Sequence, residues 1–416
     1  MKKILIWDTM ELKDTGGPSG YLFNIHEYLK EAPNSQIFFL SDLTRPSKGN
    51  KQHFDVQKKS LLNFFCQLIP KSVKNAAPIL VLKKIIDNIL YLHLILWKQF
   101  QINSIRIPSS INLNEFDFIH FHFIPDLLRF KKNFPYYKGK KILTSHSPCP
   151  WTDETLSHEK KWIKFFRPIM MHHEINCYKY ADYLMFPCKE AREPYEKEPR
   201  IKKLFHSNEF KFFYIPTGIL KSSNQFSQTV SLDKWGIGEK DFVIGFFGRH
   251  EAIKGYDILK DIAKDLLKQF DNLFFLCAGT GDIKPLQHSH WIELGFISNV
   301  QSYITKCDLY ILSNRQTYFD LITLELLRAG VITLLSDNGG NRFFKSFPSK
   351  DTIGISFFSP YDKTSIAKQV KSFIEEKNNH PDLHKQRKKA NQLLFFNNFS
   401  VNHFITKYTT ALQSMS

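Results

Sequence analysis

Twice in this chain of 416 residues, an apolar, strand-like run passes through a glycine-bearing loop into a helix. The first run is KKILIW at 2–7, followed by DTGGPSGYLFNIHEYLKEA. The second is DFVIGFFGRHEAIKGYDILKDIAKDLLKQF at 241–270. Repetition of this unit predicts an α/β chain of two doubly wound halves. In such sheets ligands collect beyond the carboxyl ends of the strands, where the following helices aim their N-termini.

Further strand-like runs fall at 36–42, 116–124, 140–148, 182–189 and 210–219 in the first half. In the second half they fall at 273–281, 290–298, 307–313 and from 331 onward. Residues 153–181 read as helical. The polar stretch 220–231 reads as a linker. This divides the chain into a first domain at 1–220, a second at 221–392 and a helical tail at 393–416.

A composition of 43% hydrophobic and 23% charged residues belongs to a globular protein and excludes global disorder. The six cysteines form no CxxC and no regular framework, which fits reduced thiols in a cytoplasmic protein. The opening MKKILIWDTM enters a strand directly, so no signal peptide is expected.

The net charge of +17 is concentrated at 45–141, with 17 Lys and Arg against 5 Asp and Glu. Such a field calls for an anionic partner, and the interleaved apolar residues favour a membrane surface over nucleic acid. No nucleic-acid reader motif is present. Region 45–110 fits the parallel α/β pattern poorly and reads as a basic, apolar insertion. Within it, PILVLKKIIDNILYLHLILWKQF is too interrupted to span a bilayer. Lys83 with Asp87 and Lys84 with Asn88 define one polar helical face. Such a helix either lies in the membrane interface or packs on its own domain.

The chemistry is expected to centre on NRQTYFDLITLELLRAG at 314–330. Here a strand leads through a polar turn into an apolar helix that carries one carboxylate, Glu325. Glu325 could accept two hydroxyl hydrogen bonds, as acidic residues do with nucleotide ribose. The loop bearing Gly248, Arg249, Lys254 and Gly255 suits a diphosphate, because Arg forks onto two oxygens and Lys adds a point charge. Gly16, Gly17 and Gly20 would let backbone amides approach a phosphate or sugar, although the loop is neither a P-loop nor GxGxxG. His146, at a strand's carboxyl end, is placed to face a ligand. His120 and His122 share a strand face at a spacing zinc could use. With no third ligand and no HExxH nearby, no metal site is expected.

In their order and spacing, GGPSGY, HFH, TSHS, IPTG, GRHEAIKG, AGTG, GFIS and TYFDLITLE resemble the retaining family 4 (group 1) glycosyltransferases of bacterial polysaccharide synthesis. The resemblance covers nearly the whole chain, with 45–110 its least familiar part. It implies the GT-B fold: two Rossmann-like domains facing a central cleft, with a C-terminal helix crossing back to the first. It also implies a nucleotide-diphosphate sugar, UDP- or GDP-linked, as donor. No cofactor and no metal are implied, and no DxD occurs in the chain. The acceptor would be a hydroxyl of a cell-surface glycan or lipid-linked acceptor, as in capsule, O-antigen or lipopolysaccharide synthesis. Such an enzyme would be cytoplasmic and peripheral at the inner face of the membrane.

Carried over by resemblance, Gly16 and Gly17 lie beside donor phosphate or acceptor, and Arg249 and Lys254 neutralise the leaving diphosphate. Glu325 binds the ribose hydroxyls, and the amides of Phe319, Asp320 and Leu321 meet phosphates and sugar. His146 lies near the donor sugar, and Ile297 with its neighbours flanks the base. Gly248, Gly279, Thr317 and Tyr318 complete the donor site. The family pattern has a second glutamate where this chain has Thr317, and a glycine where it has Asp320. That departure keeps two other readings open: a catalytically degenerate sugar-nucleotide-binding or scaffolding subunit, and a GT-B sugar-nucleotide epimerase.

Overall fold

The computed structural model describes residues 2–14, 16–34, 36–44, 111–221, 230–359 and 362–415, with the isolated positions 88 and 107. The amphipathic helix expected near 78–100 lies outside the described residues, as does nearly all of the 45–110 insertion.

Two six-stranded sheets form the framework, and every strand pair in them is parallel. The first comprises β1 (Ile4–Trp7), β2 (Ile37–Phe39), β3 (Phe118–Phe121), β4 (Lys140–Leu143), β5 (Tyr183–Phe186) and β6 (Phe212–Tyr214), in the order β2-β1-β3-β4-β5-β6. The second comprises β7 (Phe242–Phe247), β8 (Leu273–Ala278), β9 (Trp291–Glu293), β10 (Leu309–Leu312), β11 (Ile332–Ser336) and β12 (Ile355–Phe358), in the order β12-β11-β10-β7-β8-β9. Parallel sheets need crossover helices on both faces, so their inner strands lose the polar alternation of half-exposed ones. ILIW of β1, FVIGFF of β7 and LFFLCA of β8 are accordingly buried at every position. The α/β reading with two Rossmann-like halves therefore holds.

Several boundaries differ from the expected ones. The run 36–42 gives a strand only to Phe39, and Leu40–Thr44 is helical. The run 116–124 gives β3 and then a helix at Ile124–Asn133, opened by Pro125, whose fixed φ and missing N–H suit a first turn. The helical pattern at 153–181 begins earlier, at Trp151, and is divided into Trp151–Ser157, a 3-10 segment at Lys161–Phe166 and a helix at Arg167–Tyr180 that carries Pro168 in its first turn.

The C-terminal region is two helices. Pro381–Asn398 packs on the second sheet's helices, where the buried Asn391 donates to the carbonyls of Val331 (2.7 Å) and Gly354 (3.1 Å). The chain turns at Phe399 and Ser400, and Val401–Ser414 lies against the first lobe. Val401, Phe404, Ile405, Tyr408 and Leu412 recur at helical spacing and bury with Ile4, Tyr21, Leu22 and Phe118. The crossing is stitched by backbone. Ile219 N–H donates to Phe399 (3.0 Å) and Val401 N–H to Ile219 (2.9 Å). Position 218 is glycine because a Cβ there would stand 2.6 Å from the Ser400 carbonyl oxygen.

Docking of this last helix rests on its apolar stripe. Phe404→Ala is expected to lower unfolding free energy by about 3–5 kcal/mol, the usual range for a buried aromatic. Urea titration of both proteins measures it; a loss under about 1 kcal/mol would mean the helix is not packed as described.

Candidate functional site

The loops at the carboxyl ends of β7, β8 and β10 converge. After β7 the chain passes Gly248 and Arg249, makes a 3-10 turn at Ala252–Lys254, and enters the helix Tyr256–Leu266 through Gly255. Gly255 has φ +69°, and a Cβ on it would be 1.9 Å from the Ser313 carbonyl oxygen. Gly279, with φ +138°, stands equally close to the Gly248 carbonyl oxygen. Only glycine permits these approaches, and they bring the three strand ends together. Gly279 also donates its N–H to Gly295 (2.8 Å), which sets the 295–299 loop beside it. In that loop Ile297 is half-buried and Phe296 is 74% exposed.

Beyond β10, Asp320 stands at the N-cap position of the helix Leu321–Ala329 without a side-chain capping bond. Its carboxylate pairs with Lys254 Nζ at 2.8 Å and accepts from Asn314 Nδ2. Among the described residues, the N–H groups of Phe319 and Asp320 meet no protein acceptor. The neighbouring side chains turn into protein. Thr317 is fully buried, and Phe319 packs on Phe343, Phe344 and Phe399. The Tyr318 ring enters the first lobe beside Phe186 (5.7 Å), His146 (6.3 Å) and Tyr195 (6.4 Å). What this loop offers a ligand is therefore backbone. Arg249 is exposed, 3.2 Å from Glu251 and 3.5 Å from His158 Nε2 of the first lobe.

Glu325 lies half-buried on the helix that follows. Burial pushes its carboxyl up to about 7, assisted by Asp14, while Arg328 and a hydrogen bond with Gln301 oppose the rise. Arg328 is itself buried and donates to the Leu220 carbonyl (2.7 Å). Leu220 N–H donates to Asn24 Oδ1 (2.8 Å), on the helix Gly17–Glu31. A polar chain thus runs from the glycine-loop helix of the first lobe to Glu325 of the second. Gly16 (φ +83°) and Gly17 open that helix, and a Cβ on either would meet nothing within 4 Å. The space beside these two positions is open, while Ser19 of the first turn bonds back to Glu11 and Lys13.

Three histidines stack across the carboxyl ends of β3 and β4. His146 Nε2 is 3.0 Å from His122 Nδ1, and the His120 and His122 rings are 4.0 Å apart. Burial lowers all three, His146 to about 3, which keeps the stack neutral. His120 has both ring nitrogens in hydrogen bonds, to Tyr408 and Thr144 (2.7 Å each), leaving neither for a metal. Among the described residues, no group of three or more His, Cys, Asp or Glu is arranged to hold a metal ion.

Sequence reasoning passed over several residues. Arg328 had a signal, because it follows Glu325 by three positions on the helix. Asp14 adjoins the glycine pair, also within reach of inspection. Gln301 and Glu193 had none. Glu193 joins the lobes, accepting from Gly339 N–H (3.1 Å) and Arg342 Nη1 (2.6 Å).

Solved structures share this architecture along the entire chain. The Anabaena protein HepE in complex with UDP superposes with a TM-score of 0.60 at 15% identity, covering 99% of this chain and 100% of its own. Sucrose-phosphate synthase from Thermosynechococcus elongatus gives 0.60 at 12%, covering 99% and 98%. TarM gives 0.60 at 10%, covering 99% and 98%. The fold is GT-B. Within its second lobe, residues 241–376 match the family model described as "Glycosyl transferases group 1". No curated protein matches the chain. That segment of the GT-B frame contains Gly248, Arg249, Lys254, Gly279, Ile297, the 317–321 loop and Glu325.

The Glu325 carboxyl has a pH consequence. Its folded value of about 7 exceeds the ordinary 4.5, so the folded chain holds this proton to higher pH than the unfolded one. Its contribution is most favourable below about 4.5 and declines as pH rises toward 7. Glu325→Gln should match the parent near pH 4 and exceed its stability by about 1–3 kcal/mol at pH 8. Denaturant titrations at the two pH values check this; equal differences at both would remove the assignment.

Proposed function

We propose that this chain is a retaining, metal-independent glycosyltransferase. It moves a sugar from a nucleotide-diphosphate sugar, UDP- or GDP-linked, to a hydroxyl of a cell-surface glycan or lipid-linked acceptor. The observation that carries the reading is the convergence of Arg249, Lys254, the Phe319 and Asp320 amides and Glu325 on one set of strand-end loops, inside the segment that matches the group 1 model. HepE structures holding UDP and UDP-glucose support the choice of donor class. In this reading the second domain, 221–392, binds the donor. The first, 1–220, presents the acceptor, and 393–416 ties the two.

Breaking the glycosidic bond develops positive charge on the sugar and negative charge on the departing diphosphate. Cations and amides already aimed at that negative charge lower the barrier, each such donor by about 3 kcal/mol. Lys254 is held ready by Asp320 and would turn to the diphosphate as it binds. Arg249, exposed and next to His158, would add its fork. Glu325 would accept the ribose hydroxyls, and those donors favour its ionised form. Retention follows by analogy with the family: no enzyme nucleophile acts, and a leaving-group oxygen takes the acceptor's proton. Closure of the two lobes would exclude water and protect the donor from hydrolysis.

Thr317, buried and without a carboxylate, favours one competing reading: a subunit that binds the nucleotide without turnover. Calorimetry with UDP, GDP, ADP and CMP tests the proposal on the parent, Glu325→Ala and Arg249→Ala. One nucleoside diphosphate should bind, each variant should weaken it roughly tenfold or more, and affinity should rise as pH passes about 7. Folded protein that binds none of them overturns the donor site. Binding without acceptor-dependent transfer selects the non-catalytic subunit.

We further propose that the basic stretch 45–141 holds the enzyme peripherally on the inner face of the cytoplasmic membrane. Among the described residues no helix is long and apolar enough to cross it. Co-sedimentation should then require anionic lipid and weaken as salt rises. Sedimentation indifferent to both would defeat the idea.

A further inference from the structure

Beside the Glu193 contact between the lobes, the first lobe carries an open pocket of about 710 Å³ lined by Lys189, Arg192, Glu193, Glu196, Lys202 and Glu209, with Lys197 and His206 completing the rim. A space of this size suits a sugar or a short oligosaccharide. Its charges divide into two sets. The three carboxylates are already engaged. Glu196 and Glu209 pair with the buried Arg192 at 2.8 and 2.7 Å, and Glu193 pairs with Arg342 of the second lobe at 2.6 Å. Arg192 is also held by Tyr214 (2.8 Å) and lies over the Phe212 ring, so it forms a fixed floor. Lys189, Lys197 and Lys202 are exposed and make no ion pair among the described residues. Arg192 is shared by two of the carboxylates, yet with Arg342 counted five cations stand against three acids, so the mouth keeps a net positive charge that the exposed lysines carry.

The cavity also has an address. Glu193, in its wall, accepts the N–H of Gly339, and Gly340 next to it donates to the Thr317 carbonyl (3.1 Å). The cavity is therefore two contacts from the loop assigned above to the donor sugar, yet its wall belongs to the opposite lobe. A group transferred across the cleft must meet an acceptor reaching in from that side.

From this geometry we propose that the cavity binds an anionic sugar of the acceptor, one bearing a carboxylate or a phosphate, with Lys189, Lys197 and Lys202 meeting the anion. The inference rests on the glycosyltransferase reading for the word acceptor. The anion site itself stands on the cavity alone.

Ligand-detected NMR with methyl glucuronide, glucose 6-phosphate and neutral methyl glucoside tests it, on the parent and on the double variant Lys189→Gln/Lys202→Gln. Both lysines are exposed, so the variant should fold. Calorimetric UDP binding should be unchanged by it. At least one anionic sugar is expected to bind the parent roughly tenfold more tightly than the glucoside, with the preference lost in the variant and suppressed at about 1 M salt. Which anionic sugar is preferred distinguishes a uronic acid from a phosphorylated residue. Absence of any preference, or a preference that survives in the variant, overturns the proposal. An anionic preference lost in the variant, in a protein that binds no nucleotide, keeps the cavity and discards the donor site instead.

Discussion

The geometry of the molecule depends on the place where the chain crosses between its two sheets. At Ile219 and Ser400 the outgoing and returning strands lie side by side as a short parallel bridge, with backbone hydrogen bonds on both sides. Gly218 makes the approach possible. Any side chain there would enter the Ser400 carbonyl and the Cβ of Phe404. From this point the helix Val401–Ser414 reaches the first lobe and buries five apolar side chains, each worth about 1.5–3 kcal/mol. The same helix delivers Tyr408 to His120, so the return of the chain also fixes the base of the histidine stack.

Once the lobes are joined, the cleft between them acquires its electrostatics from very few groups. Arg328 is buried between Glu325 of its own helix and Asp14 of the opposite lobe's loop, and it bears on the titration of both. A charge away from water persists only with partners, and Arg328 has these carboxylates and the Leu220 carbonyl. On the other side of the loop, Lys254 and Asp320 hold each other. The Asp320 carboxylate orders this cation at the mouth of the helix Leu321–Ala329. Thr317, at the start of that loop, is fully buried and carries no charge. The Tyr318 ring enters the first lobe next to it. The contact this loop makes between the lobes is thus aromatic.

Much of this was legible in the chain. Wholly buried parallel strands announce themselves as continuous apolar runs, and β1, β7, β8 and β10 were visible for that reason. Strand ends with glycine were visible because tight turns and close approaches demand it. The 36–42 and 116–124 runs were read too long, since an apolar run alone does not say where a strand yields to a helix. The short strand β12 carries too little pattern of its own to be noticed. At the site, Arg249, Lys254 and Glu325 stood out as charges in apolar or glycine-rich surroundings. Gln301 and Glu193 did not, because what brings them to the site is the packing of distant segments.

The sequence by itself determined the architecture: two parallel sheets with helices between their strands, and glycine-marked loops at the ends where ligands gather. Those features are local, and they follow from which residues can be buried and which φ values they allow. Only the tertiary structure decided which side chains in those loops face outward. It turned Tyr318 and Phe319 into protein, set Arg249 against the first lobe and tied Glu325 to Asp14 through Arg328. It also gathered Lys189, Lys197 and Lys202 around one cavity. The contacts between the lobes join segments far apart in the chain, and the crossing at Gly218 and Ser400 holds those segments together.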